Sequence, residues 1–139
     1  MDISAKQLQK IADMRIDDAL ILLKHGRYSA AYYLGGYAVE AALKACIART
    51  FRARTLPEPN FVRSVYTHNI QELVRLAGLK RILEDATKAD QKLAANWISV
   101  SGWDVESRYQ LMDVFGAEAL LNAIVDQTHG LLPWIKQHW

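Results

Sequence analysis

Cysteine is almost missing from this chain. Cys46 is the one thiol in 139 residues, so no disulfide can staple the chain internally. That suits a reducing compartment, and Cys46 is expected to pack as a small hydrophobe. Proline is scarce too. Pro57 and Pro59 fall together and Pro133 stands near the end, so long helices can run undisturbed elsewhere. Neither sign of charge dominates: the net charge is +2, which gives no global field for a polyanion. The one basic cluster is ARTFRART, with Arg49, Arg52 and Arg54, and its default reading is a solvated helix end and loop. The four histidines are scattered and none has zinc spacing, so no metal site and no cofactor is expected. No uncharged apolar run approaches a membrane span. The opening MDISAKQLQK lacks the apolar stretch of a signal peptide. A soluble, cytoplasmic protein without membrane contact is the expectation.

What is present is helical period. About half the chain is hydrophobic, enough for one domain over residues 1–139 with a proper core. Leu8, Ile11, Ala12, Arg15, Ala19, Leu22 and Leu23 form a stripe on a first helix from about Ser4, its N-cap, to Lys24. His25–Arg27 is a turn around Gly26. A second helix spans about Tyr28 to Arg49, a third about Thr67 to Ala77 with Thr67 as N-cap and Gly78 as stop. A fourth covers Leu79 to Ser99, with Ile82, Ala86, Ala89, Leu93 and Trp97 on its inner side. SGWD bends the chain, and a last helix runs from Asp113 to Gln137 with a kink near His129 caused by Pro133. The proline-bearing RTLPEPN cannot be helical throughout. No segment alternates with period two and no repeat is seen. The fold class is therefore all-α, an antiparallel bundle of four to five helices.

The second helix is unusual. YYLGGYAVEAALKA places Gly35 and Gly36 in a helix interior, where each glycine costs about 1 kcal/mol relative to alanine. A close approach by another helix, within the subunit or across a twofold axis, would explain both. Tyr33, Tyr37, Glu40 and Lys44 make a second row, with Glu40 and Lys44 at the favourable spacing for a helical ion pair. Gly35, Gly36, Tyr37 and Glu40 are thus candidates for helix or dimer packing. Tyr32, Tyr33 and Tyr37 are expected in the core or at an interface, as are Trp97, Trp103 and Trp134, while Trp139 is expected to be exposed.

AYYLGGYAVEAALKA resembles the second-helix signature of the HEPN superfamily (higher eukaryote and prokaryote nucleotide-binding domains). THNIQEL, from Thr67 to Leu73, is similar to the opening of that family's third helix. SRYQ, from Ser107 to Gln110, is placed like the Arg-Tyr before its final helix. The resemblance covers nearly the whole chain. It implies a four- to five-helix bundle and a homodimer in which two polar clefts meet. Many members are metal-independent ribonucleases, often toxins held by an antitoxin; others are non-catalytic and pair with a small nucleotidyltransferase. Ribonuclease members carry Arg, four to six residues, then His. RSVYTH matches it, so Arg63 and His68 are the catalytic candidates. Imidazole titrates near neutral pH and suits removal of a proton from a 2′-hydroxyl, and a guanidinium suits the charge that gathers on phosphorus. The tyrosine that some toxins carry two residues after the histidine is Ile70 here. Lys44, Arg108 and Tyr109 are candidates for RNA or nucleotide contact. Arg108 is equally a candidate for a structural bond to Glu40 or a helix end, and Tyr109 is expected to pack with its hydroxyl at the edge.

Overall fold

Ser4 starts the first helix with a reciprocal cap. Its hydroxyl accepts from the Gln7 amide at 3.1 Å and its own amide donates to the Gln7 side chain at 2.8 Å. The computed structural model describes residues 2–139, and from this point it is helical nearly throughout. The helices are α1 (Ala5–Lys24), α2 (Tyr28–Ala48), α3 (Pro59–Val65), α4 (Ile70–Leu76), α5 (Lys80–Ala89), α6 (Gln91–Ser101), α7 (Val114–Val125) and α8 (Leu131–Lys136), with a 3₁₀ turn at Val105–Tyr109 before α7. Among the described residues there is no strand, and the all-α bundle stands. No described helix is long and apolar enough to cross a membrane.

Gly26, at φ +75°, folds α1 back along α2. Of the predicted stripe on α1, Ala12 and Ala19 are buried and Leu22 and Leu23 pack against the core; Ile16 joins this row and Ile11 is exposed. Ile16 follows Ala12 by four and precedes Ala19 by three, so it shares their face. α2 is the axis of the molecule. It touches α1, α4, α7, α8 and the 3₁₀ turn, and Val39, Leu43 and Ile47 are wholly buried along it. Cys46 is buried among them, and burial pushes its thiol up to about 11, so it stays protonated at neutral pH.

Both glycines contact side chains of the same chain. A Cβ on Gly36 would fall 2.0 Å from the Trp103 ring, and one on Gly35 would fall 2.5 Å from Leu121 Cδ2 on α7. The close approach is intramolecular, so a partner subunit is not needed to explain the glycine pair. Trp103 and Trp134 are buried, and Trp97 is half-buried. Trp139, read from sequence as exposed, is half-buried as well.

RTLPEPN is not helical throughout, as expected, but its end starts a helix that periodicity does not show: Glu58 caps Asn60 and Phe61, Pro59 takes the first helical position, and α3 follows. Two expectations need correction. The predicted fourth helix is two helices, because Asp90 is extended (φ −135°, ψ 99°) and caps α6 through the Lys92 and Leu93 amides. Its inner side is Leu83, Leu93 and Val100, while Ile82 is exposed. The last helix is also two. The interruption falls around His129 as expected, between Asp126 and Gly130, but Pro133 is not its cause: it sits in the first turn of α8, where a missing amide proton is harmless.

Candidate functional site

Tyr33, Tyr37, Glu40 and Lys44 lie on one face of α2. The loop from α3 to α4 comes to rest against that face. Thr67 Oγ1 accepts from the Asn69 amide at 3.1 Å, and Asn69 Oδ1 accepts from the Glu72 amide at 2.9 Å. Asn69, not Thr67, is therefore the N-cap of α4. Ile70 and Leu73 are buried and anchor the helix below. His68, held between the turn-forming Thr67 and the capping Asn69, points at α2.

There its Nδ1 lies 3.0 Å from each carboxylate oxygen of Glu40. Lys44 Nζ donates to Glu40 Oε1 at 2.8 Å. The Glu40 side chain is only 5% exposed, whereas the His68 ring is 45% exposed. Burying an unpaired carboxylate would cost several kcal/mol, and Lys44 and His68 are what make the position tolerable. An ionised carboxylate only accepts, so the proton of neutral His68 resides on Nδ1 and Nε2 carries the lone pair. Such a pair can orient a base or tie a loop to a helix. Spacing along α2 reveals Glu40 and Lys44 as a pair. It cannot reveal that Glu40 also holds His68, which comes from 28 positions away.

Tyr37 stands edge-on to His68, with ring centroids 6.1 Å apart, and Tyr33 stands edge-on to Tyr37 at 4.9 Å. The Tyr33 hydroxyl beside it, and then burial, push Tyr37 up to about 12, so it is a neutral wall of the site across the physiological range. Trp103 closes the row from below, 5.6 Å from Tyr37 and 6.2 Å from Tyr33. Arg108 lies close enough to act on both tyrosines, and its guanidinium stands 4.8 Å above the Tyr109 ring. Tyr109 is 75% exposed, which corrects the expectation that it packs. No ion pair joins Arg108 to Glu40, whose partners are Lys44 and His68, and Arg108 lies in the last turn of the 3₁₀ helix.

Arg63 occupies the last turn of α3 and is exposed. No hydrogen bond joins it to His68, and among the described residues it forms no ion pair. The sequence string thus brings the two residues to adjoining elements without linking them. A separate groove of about 700 Å3, lined in part by Thr67, Glu72, Arg75, Lys80 and Trp97, includes neither His68 nor Glu40.

Compared with known families, residues 5–138 match the model of the HEPN domain. The chain belongs to the HEPN domain family. No curated protein and no solved structure matches it. The match takes in α1 to α8, so the Glu40–His68 contact lies well inside the HEPN domain rather than on an appendage.

Proposed function

We infer that this HEPN protein is a metal-independent endoribonuclease centred on His68, of the kind that serves as the toxin of a toxin–antitoxin pair. The observation that carries the reading is the bond between the half-exposed His68 ring and the buried Glu40 carboxylate. A ring fixed through Nδ1 presents Nε2 outward as a base. Nε2 takes the proton of a ribose 2′-hydroxyl as that oxygen attacks the adjacent phosphorus. The bond from phosphorus to the 5′-oxygen breaks, and a proton delivered to that oxygen completes release. The products are a 2′,3′-cyclic phosphate and a 5′-hydroxyl. Arg63, which is free of intramolecular ion pairs among the described residues, is the candidate to stabilise the phosphorane. In a homodimer the histidine of a second copy is the candidate acid. Work of this kind belongs in the cytoplasm, where RNA is the available substrate.

A second reading is a non-catalytic module that holds a nucleotide or docks a small nucleotidyltransferase. The lack of any bond between Arg63 and His68 favours it, since the Lys44–Glu40–His68 cluster serves equally well as a clip that ties the loop to α2. Purified protein incubated with RNA in excess EDTA separates the two. Cleavage is expected from wild type and should fall by about 10²-fold or more in His68→Ala. Equal cleavage by both proteins, or none by wild type, removes the enzyme reading and leaves the module.

A further inference from the structure

We propose that the 3₁₀ turn at Val105–Tyr109 is a base-stacking subsite for single-stranded RNA, with Tyr109 as the platform and Arg108 as the phosphate contact. The inference rests on the RNA-directed reading of the His68 site and extends it to the neighbouring nucleotide.

Four observations converge on it. Tyr109 is a large aromatic ring, three-quarters exposed, on a short turn tied to α2 at a few points. Asp104 caps the turn through the Glu106 amide at 2.7 Å, Ser107 is buried, and Trp103 fills the notch at Gly36. The turn is thus anchored through Trp103 and Ser107 while the Tyr109 ring stays open to solvent, where a base can stack on it. Second, Arg108 stands over one face of that ring, a cation beside the face on which a base would stack. Third, Arg108 is available. Among the described residues it forms no ion pair, and Glu106, the carboxylate near enough to influence it, acts more weakly on it than Tyr109 does. Fourth, the subsite continues the candidate active site. The Tyr37 ring stands 6.1 Å from that of His68, the Tyr33 ring 4.9 Å from that of Tyr37, and the 3₁₀ turn that carries Arg108 packs on the same helix α2. The two tyrosine rings thus lie between His68 and Arg108, where consecutive nucleotides of a strand would pass.

Duplex RNA does not suit this surface, because its bases are already stacked and its edges lie within grooves. Leu111 and Phe115, which follow the turn, are also exposed, and contact with another protein chain is the competing use of this face.

The test measures binding apart from cleavage, in full-length His68→Ala protein at low salt. The probes are a fluorescein-labelled ten-nucleotide oligoadenylate, the same strand annealed to oligouridylate, and AMP. The single strand is expected to bind better than the duplex or AMP. Tyr109→Ala should weaken single-strand binding by about tenfold, and Tyr109→Phe should retain it. Arg108→Ala should also weaken it and reduce the log–log salt slope by about 0.7. Circular dichroism confirms that each variant is folded. Failure of the parent to bind the single strand, equal affinity for duplex, or unchanged affinity in Tyr109→Ala each overturns the subsite. Loss of self-association in Tyr109→Ala at unchanged RNA affinity assigns the face to protein contact and overturns it too. The ribonuclease reading fails separately, when wild type binds the strand as proposed and leaves it uncut.

Discussion

At the scale of single residues, Gly36 and Trp103 decide most. The indole occupies space that any other residue on α2 would fill, and the 3₁₀ turn is seated through it. Gly36→Leu is expected to destabilise the protein by about 3 kcal/mol or more, since over-packing of this kind forces the backbone or the indole to move. Thermal melts of the variant and wild type measure it. An unchanged melting temperature would mean that Trp103 has another place to go. The need for a close neighbour at Gly35 and Gly36 is legible in the sequence, because glycine weakens an alanine-rich helix unless something must pack where a Cβ would stand. Which residue comes close is not legible, since Trp103 lies far along the chain and belongs to no periodic stripe. Glu40 teaches the same lesson: its partner at Lys44 is visible through helical spacing, and its partner at His68 is visible only in three dimensions.

At the scale of elements, the two helices that periodicity reads as continuous are broken at places that bond to each other. His129 Nδ1 meets Asp90 Oδ2 at 2.7 Å, the His129 amide donates to Asp126 Oδ1 at 2.7 Å, and Asn96 donates to the His129 carbonyl at 2.8 Å. A tertiary latch thus stabilises the ends of α5 and α7, and the apolar period runs on through Asp90 with no glycine or proline to announce a stop. The hydrogen bond from His129, then those from the Leu93 and Lys92 amides, hold the Asp90 carboxyl below its ordinary value. Its contribution to stability is therefore present above the unfolded pKa and lost as pH falls through the lower folded one. Asp90→Asn keeps a capping side chain and removes the charge. Its melting temperature should lie below that of wild type at pH 7, with the gap closing in acid below pH of about 4. A gap of equal size at both pH values would contradict this account. Helix α3 escapes a sequence reading for a different reason: it is seven residues long, and of the two prolines that suggest a loop, Pro59 in fact starts it.

For the whole molecule, one cluster of buried side chains takes in residues from α1, α2 and α4 to α8, with α2 in contact with most of the others. Helical class is legible from period alone, because every long segment shows an apolar stripe and none alternates. A shared core predicts cooperative unfolding. Leu43→Ala, at a wholly buried position on α2, should cost about 2–5 kcal/mol and move melts followed by far-ultraviolet circular dichroism and by tryptophan fluorescence together. Separate transitions by the two probes would divide the chain into independent units.

Between α2 and α3 the chain leaves this core entirely: residues 49–58 are exposed throughout, and Leu56 is 99% exposed. The polypeptide could accordingly be opened there at small energetic cost. Neither half would then own a finished interior, because the earlier one supplies the axis and the later one supplies most of what wraps it. Each would be a template awaiting its complement.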